Sequence, residues 1–113
     1  MGRRLTPYER LLRSIRERSL QEQCREVAEL LHAPYFHDAD SRRNYAGLPD
    51  TVLVVPPVLC LWELKKETEQ LRAEQETWAS ELQRCTMLDY RIVRPSTIGD
   101  DLSWLLRTTG RGE

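Results

Sequence analysis

The sequence predicts an α/β fold in which a mixed β-sheet is flanked by helices. Two apolar, β-branched runs, residues 51–55 and 58–62, are joined by two prolines and are typical of a β-hairpin. Apolar residues at helical spacing occur both before and after this hairpin. The segments follow the order α, α, β, β, β, α, β, α, which indicates one sheet with helices packed on its faces.

The N-terminal third of the chain predicts helix. Residues 6–9 match a capping box with proline at the first helical position. One apolar stripe covers residues 5–15 and a second covers residues 20–31. At about 100° per residue the two stripes point in nearly opposite directions, so the chain either breaks near residues 18–19 or forms one helix with two buried faces. A second capping pattern at residues 19–22 favours the break.

The remaining elements are shorter. Residues 35–37 predict a strand, and the polar residues 38–46 predict a loop. After the hairpin, residues 69–84 predict a helix, residues 91–93 a strand and residues 98–107 a last helix.

Gln75 interrupts the apolar side of the helix predicted at 69–84, which otherwise carries Leu71, Trp78 and Leu82. A glutamine directed toward a sheet needs hydrogen-bond partners. Two interpretations stay open: the amide bonds a strand end, or it points at the acidic cluster described below.

Composition limits the class of protein. The chain has 113 residues, of which 40% are hydrophobic and 31% charged, as is typical of one soluble globular domain. No apolar run approaches the ~20 residues of a membrane span, and the N-terminus lacks the apolar stretch of a secretory signal. The cysteines Cys24, Cys60 and Cys85 form no CxxC pair, which argues against a disulfide framework or a zinc site. We therefore expect a cytoplasmic protein.

The distribution of charge is more informative than its sum. A net charge of −1 does not by itself indicate a nucleic-acid-binding protein. Residues 1–18, however, carry six arginines against two glutamates, and fifteen of the seventeen basic residues of the chain are arginine. Arginine favours bidentate contact with phosphate. A genome of high GC content would produce the same arginine bias.

Asp50 and Glu63 flank the predicted hairpin. Symmetric antiparallel pairing across the two prolines gives partner numbers that sum to 113, so that Asp50 faces Glu63 with Cβ atoms roughly 5 Å apart. Because proline is excluded from the centre of the usual tight hairpin turns, we expect a four-residue loop, 55–58, which keeps this sum. An odd-numbered loop would shift the pairing by one. Lys65 lies two residues beyond Glu63 and therefore on the same face.

Two carboxylates this close repel each other unless a cation lies between them. Asp50 and Glu63, together with the backbone carbonyl of Leu64, offer the oxygen ligands that Mg²⁺ or Mn²⁺ prefers. A bound metal lowers the pKa of its water and stabilises charge on phosphorus. Lys65 would orient or deprotonate the attacking water. This arrangement suits phosphodiester hydrolysis, whereas a surface ladder of weak ion pairs is the other interpretation.

The order and spacing of these features resemble the VRR-NUC domain, a branch of the PD-(D/E)xK nuclease superfamily, and especially its small phage-borne members. The matching segments are Asp40-Ser41-Arg42-Arg43, Gly47-Leu48-Pro49-Asp50, Glu63-Leu64-Lys65, Leu71 with Gln75 and Trp78, and Arg94-Pro95-Ser96. The resemblance implies an α/β PD-(D/E)xK nuclease core of order αβββαβ at residues 17–107. An extra N-terminal helical extension at 1–16 would precede the core, and a C-terminal tail at 108–113 would follow it.

The resemblance also implies roles for individual residues. Asp50 and Glu63 would be the ligands of Mg²⁺ or Mn²⁺, Lys65 the catalytic lysine, and Gln75 a residue that faces the active site. The family carries a further catalytic glutamate on its first helix, and the family's spacing selects Glu17 for this position.

Helical geometry agrees with this choice, because Glu17 lies about 60° from the direction of Leu20. Glu22 points to the opposite side and would be a capping or solvent residue. A helix break after Arg18 would weaken the assignment to Glu17. The chain also departs from the family at residues 66–70, where a glycine usually follows the lysine.

The resemblance implies DNA as the substrate. Ser41, Arg42 and Arg43 precede Asp50 and would contact phosphates, although solvated loop arginines fit the same pattern. His37 is either a substrate contact or a histidine whose hydrogen bonds are satisfied at a strand end. We expect a metal-dependent endonuclease acting on double-stranded, branched DNA as a homodimer in the bacterial cytoplasm. The alternatives are a flap or nicking endonuclease, and a non-cleaving DNA-binding or packaging accessory.

Overall fold

A mixed four-stranded sheet forms the centre of the computed structural model, which describes residues 4–38 and 46–111. Strands β1, β2 and β3 are antiparallel neighbours, and β4 is parallel to β3. The α/β class, the mixed sheet and the order of elements are confirmed. The elements, in chain order, are α1 (Pro7–Ile15), α2 (Leu20–Leu31), β1 (Tyr35–His37), β2 (Thr51–Val55), β3 (Val58–Leu64), α3 (Ala73–Leu82), β4 (Asp89–Val93) and α4 (Ile98–Thr108).

Both N-terminal helices begin at the predicted caps. The Thr6 hydroxyl accepts a hydrogen bond from the Glu9 amide, and the Glu9 carboxylate accepts one from the Thr6 amide. The chain then breaks between α1 and α2, as the second capping pattern favoured. Ser19 caps α2 by accepting a hydrogen bond from the Glu22 amide at 3.2 Å, and Glu22 is exposed in the first turn, consistent with the predicted capping or solvent position.

The hydrophobic core lies between one face of the sheet and helices α1, α2 and α4. Ile15 of α1, Val27 of α2 and Leu102 of α4 are fully buried with Leu53 and Trp62 of the sheet. Full burial of such a side chain contributes about 1.5–3 kcal/mol. Because Ile15 belongs to this core, α1 packs with the rest of the described fold. The domain divisions after residues 16 and 107 stay predictions.

The turn between β2 and β3 is shorter than predicted. The register runs from the pair of Thr51 and Trp62 to the pair of Val55 and Val58. Only the two prolines then remain in the turn, so the expected four-residue loop is wrong. The peptide bond between these prolines is cis. Partner numbers still sum to 113, so the predicted register is confirmed.

Helix α3 is shorter than the predicted helix at 69–84. It begins after the N-cap Arg72, and Leu71 lies outside it. The preceding loop is not helical because the Arg94 side chain occupies its carbonyl groups, as described below. The buried residues of α3 are Gln75 and Ala79. The helix therefore directs a polar amide, and not an apolar stripe, toward the rest of the protein.

Candidate active site

Asp50 and Glu63 meet at the open end of the β2–β3 hairpin. The Asp50 amide donates a hydrogen bond to Glu63 Oε2 at 3.0 Å. The Leu64 amide donates in return to Asp50 Oδ1 at 3.1 Å. These bonds from backbone amides to carboxylates link the two chains just beyond the last ladder pair, Thr51 and Trp62. The structure thus brings the two carboxylates together as the register predicted.

Both carboxylates are withdrawn from water. The side chain of Asp50 is 15% exposed, and Glu63 is 3% exposed. Burial, and then the nearby charge of Asp50, raise the pKa of Glu63 from an ordinary 4.5 to about 7. Burial also raises the pKa of Asp50, although hydrogen bonds from Leu64 and Thr51 oppose this effect. A raised pKa means that the charged form lacks compensation, which a cation against the pair would supply.

Gln75 connects α3 to the acidic pair. Its Nε2 donates a hydrogen bond to Glu63 Oε1, and its Oε1 accepts one from the Arg72 amide at 2.8 Å. The glutamine is 4% exposed, and its bond to Glu63 is buried, whereas the bond from the Arg72 amide is partly buried. Of the two interpretations of this residue, contact with the acidic cluster is the one that the structure confirms. Each oxygen of Glu63 consequently has a donor, one from Gln75 and one from Asp50.

The Gly-Leu-Pro-Asp segment is docked against α3 through its glycine. Gly47 has a φ of +89°, and a Cβ at this position would collide with the Glu74 carbonyl and the Trp78 ring. Only glycine satisfies both constraints. Trp78 Nε1 donates to the Ala46 carbonyl at 3.1 Å. Helix α3 therefore fixes the turn that leads into Asp50.

His37 joins the cluster through Thr51, whose role the sequence analysis missed. The buried Thr51 hydroxyl donates to Asp50 Oδ1 at 2.9 Å and lies 2.9 Å from His37 Nδ1. A hydroxyl has one hydrogen, so with Asp50 ionised His37 Nδ1 must donate to Thr51, which leaves Nε2 as the acceptor of the neutral ring. His37 thus lies at a strand end with a partner at Nδ1, and its contact with DNA stays a prediction. The sequence did contain a signal for Thr51, since it is a hydroxyl residue at an inward position of an otherwise apolar strand.

Lys65 lines a groove that also reaches Asp50. Its side chain is 6% exposed, and its Nζ is 3.4 Å from Glu69 Oε2. The groove has a volume of about 330 Å³ and opens between the first turn of α2 and the loop after β3. Its lining residues are Ser19, Leu20, Gln21, His37, Asp50, Leu64, Lys65, Lys66, Glu69 and Pro95.

Glu17 does not join these residues. Because α1 ends at Ile15, the glutamate lies in the turn before α2 and not on a helix. Its side chain is 91% exposed, and the charged group near it is Arg16 at 4.0 Å. The prediction of a helix-borne site glutamate at Glu17 is therefore corrected. The helix break turns this position toward solvent, and α2 presents Gln21 to the groove instead.

The donor set fits a hard divalent cation. Asp50 Oδ1 accepts the bonds from Thr51 and Leu64, while Oδ2 accepts no hydrogen bond from any described residue. The N–H and C=O of a strand residue point to the same side of the strand. The Leu64 carbonyl therefore points toward Asp50, as the Leu64 amide does. The residue opposite Leu64 is Pro49, which has no N–H to donate to this carbonyl. No three His, Cys, Asp or Glu side chains are grouped for metal binding within residues 4–38 and 46–111. Mg²⁺ needs few protein ligands because it keeps several waters.

Ser41, Arg42 and Arg43, which were predicted to bind DNA, lie outside the described residues. No family model matches the chain, and neither a curated protein nor a solved structure matches it. In the described parts of the chain, no helix has the length and apolar character needed to cross a membrane. The fold and the chemistry of the cluster are therefore the observations from which a function is inferred.

Proposed function

We propose that this protein is a metal-dependent DNA endonuclease of the PD-(D/E)xK type, which hydrolyses phosphodiester bonds with Mg²⁺ or Mn²⁺. The observation that carries the proposal is the convergence of Asp50, Glu63, Lys65 and Gln75 at one end of a mixed sheet. Support also comes from the αβββαβ order within the described elements and from the VRR-NUC resemblance of the sequence.

Asp50, Glu63 and the Leu64 carbonyl would hold the metal ion. When bound, the ion supplies a water of lowered pKa and offsets negative charge on the phosphate. Thr51 and the Leu64 amide hold Oδ1 of Asp50, and no residue within 4–38 and 46–111 donates to Oδ2, which would face the cation. Gln75 fixes the Glu63 carboxylate from the other side. The acidic pair is thereby held in one geometry before substrate arrives, which lowers the cost of organising the reaction.

Lys65 supplies the positive charge on the groove side of the acidic pair. Its ammonium orients the attacking water and offsets charge that develops on the phosphate oxygens. Lys66 is available to the DNA backbone along the groove wall, whereas His37 would donate to a phosphate from Nε2 only with a protonated ring. Ser41, Arg42 and Arg43 would add phosphate contacts beside Asp50.

The substrate that we propose is branched or otherwise structured double-stranded DNA. Resolution of a junction needs two cuts on opposing strands, and one cluster of Asp50, Glu63 and Lys65 makes one cut. A symmetric homodimer would place two such clusters on one junction.

The test is incubation with end-labelled four-way junction, flap and linear duplex, each with Mg²⁺, Mn²⁺ or EDTA. We expect the metals to support cleavage of the junction and EDTA to abolish it. Glu63→Gln should lower the rate by about 100-fold or more, comparable to the loss of one preorganised catalytic group. Glu76→Gln is the matched control, because Glu76 is exposed on α3.

Other outcomes separate the alternatives. Cleavage that survives both EDTA and Glu63→Gln would contradict the metal site. Preference for the flap would make the protein a flap endonuclease, and single-strand cuts in linear duplex would make it a nicking enzyme. Metal-independent binding of DNA with no cleavage would identify a non-cleaving accessory protein.

A further inference from the structure

The loop that follows β3 is held in place from the neighbouring strand. Arg94, at the end of β4, donates from Nη1 to the carbonyl oxygens of Lys66 at 2.6 Å, Glu67 at 3.3 Å and Glu69 at 2.8 Å. Ser96 Oγ adds a bond to the Glu67 carboxylate at 2.7 Å. Hydrogen bonds from a charged donor are stronger than those from a neutral one. The position of this loop is therefore determined by tertiary contacts, and not only by its own sequence.

Within this loop, the Glu69 carboxylate is shared between a backbone amide and the active-site lysine. Its Oε1 accepts a bond from the Lys66 amide at 3.3 Å, and its Oε2 lies 3.4 Å from Lys65 Nζ. The backbone bond to the Lys66 amide is the main cause of a lowered pKa at Glu69, so this carboxylate stays charged. Among the described residues, Glu69 is the carboxylate that bonds the Lys65 ammonium.

The environment of this ion pair differs from that of an ordinary surface pair. An exposed pair contributes little because two long side chains must be immobilised in water. Here the Lys65 side chain is 6% exposed, whereas the Glu69 side chain is 49% exposed. The glutamate is anchored by the loop, and the lysine lines the same groove as Asp50. A buried ammonium needs a fixed partner, and the anchored glutamate provides one.

We propose that Glu69 is a positioning residue, which holds the Lys65 ammonium in the orientation that the active site requires. Lysine has a flexible four-carbon stem, and an unanchored ammonium would sample several positions. Anchoring restricts it to the one that faces the groove, and correct orientation of a reacting group raises the rate of the chemical step. The catalytic consequence rests on the proposed nuclease function, whereas the ion pair is measurable without any cleavage.

The chain offers a direct spectroscopic test, because Lys65 and Lys66 are its only lysines. Protein labelled with ¹⁵N at the lysine Nζ should give one slowly exchanging ammonium signal, from the buried Lys65. Lys66→Arg assigns that signal by leaving it in place. Glu69→Gln should increase its hydrogen exchange about 10-fold or more, since the ammonium loses a charged acceptor. Glu67→Gln is the matched control, since the glutamine still accepts from Ser96 and does not contact Lys65.

The catalytic consequence is tested on the DNA that the wild-type protein cuts. Glu69→Gln should lower kcat about 10-fold with KM within about twofold, because the lost interaction acts in the chemical step and not in binding. Glu67→Gln should leave both constants near the wild-type values. If Glu69 only repelled DNA, its neutralisation would instead raise kcat/KM, and this result would overturn the proposal.

Two further results are decisive. Unchanged exchange of the Lys65 ammonium in Glu69→Gln would overturn the proposal whether or not the protein cuts DNA. If the wild-type protein cuts none of the DNAs, the nuclease function and the catalytic role of Glu69 fail together. The exchange measurement then still decides whether Glu69 holds Lys65.

Discussion

The backbone amide of Asp50 donates a hydrogen bond to Glu63 Oε2 at 3.0 Å, so the two acidic residues form one structural unit. The Leu64 amide closes the unit by donating to Asp50 Oδ1 at 3.1 Å. These two bonds from backbone amides therefore hold the carboxylates side by side at the end of the hairpin. A substitution at either acidic residue is therefore expected to alter the environment of the other carboxylate.

Without a divalent cation, we expect the free energy of unfolding to fall as pH rises between about 4.5 and 7. The pKa of Glu63 is raised from 4.5 to about 7 in the folded protein, mainly by burial. In this range the folded state keeps a proton that the unfolded state has released, so rising pH favours unfolding. Urea unfolding in EDTA at several pH values measures the slope. Glu63→Gln cannot ionise and should flatten it, and equal slopes in both proteins would contradict the assignment.

Added Mg²⁺ should reverse this loss of stability above pH 7. A ligand that binds only the folded state stabilises it by about 2.7 kcal/mol at a concentration 100 times its Kd. We expect Mg²⁺ or Mn²⁺ to raise the midpoint of thermal unfolding of the wild-type protein. Asp50→Asn should show a much smaller increase, because it removes one charged ligand. A monovalent salt of equal ionic strength is the control, and an equal shift with that salt would argue against a specific site.

Gln75→Leu should destabilise the protein by about 1–3 kcal/mol, the cost of leaving buried polar groups without partners. The substitution removes the donor to Glu63 Oε1 and the acceptor of the Arg72 amide. Gln83→Leu is the control, because Gln83 is exposed at the end of α3. Urea unfolding compares the two variants. Similar losses for both would mean that the Gln75 bonds do not contribute as described.

Thr51→Val keeps the shape of the side chain and removes its hydroxyl. Asp50 Oδ1 then loses a donor, and His37 Nδ1 loses its acceptor. We expect metal affinity to fall about 10- to 100-fold, as when other residues that orient metal ligands are changed. Titration with Mn²⁺ measures this change, and ¹⁵N shifts of the His37 ring report the altered tautomer. Thr77→Val, at an exposed position of α3, should change neither quantity.

The Glu17→Ala variant should cleave DNA at a rate within about twofold of the wild-type rate, because the substitution removes no transition-state interaction. Its side chain is 91% exposed and lies in the turn before α2. Comparison with Glu63→Gln under the same conditions provides the scale. A loss as large as that of Glu63→Gln would mean that Glu17 moves into the site when DNA binds.

The local features of this fold were readable from the sequence. The capping box at Thr6 and the N-cap at Ser19 each join residues three apart, so their bonds are local in the chain. The register that joins Asp50 to Glu63 follows from one hairpin with a short turn. Gln75 could be singled out because it is a polar residue on the otherwise apolar side of the helix predicted at 69–84. The expected four-residue loop was wrong because the strands stay paired up to Val55 and Val58, which leaves only the two prolines in the turn.

The sequence by itself therefore determined the order of elements, the hairpin and the acidic pair with Lys65, because local hydrogen bonding and side-chain period specify them. Only the tertiary structure decided which neighbours complete the site. Glu17 was excluded by the direction in which the chain breaks before α2. His37 reaches Asp50 through Thr51 because β1 pairs with β2, and Arg94 reaches the loop of Glu69 because β4 lies parallel to β3. Such contacts join residues far apart in the chain, so they depend on strand order and packing, which a local pattern does not encode.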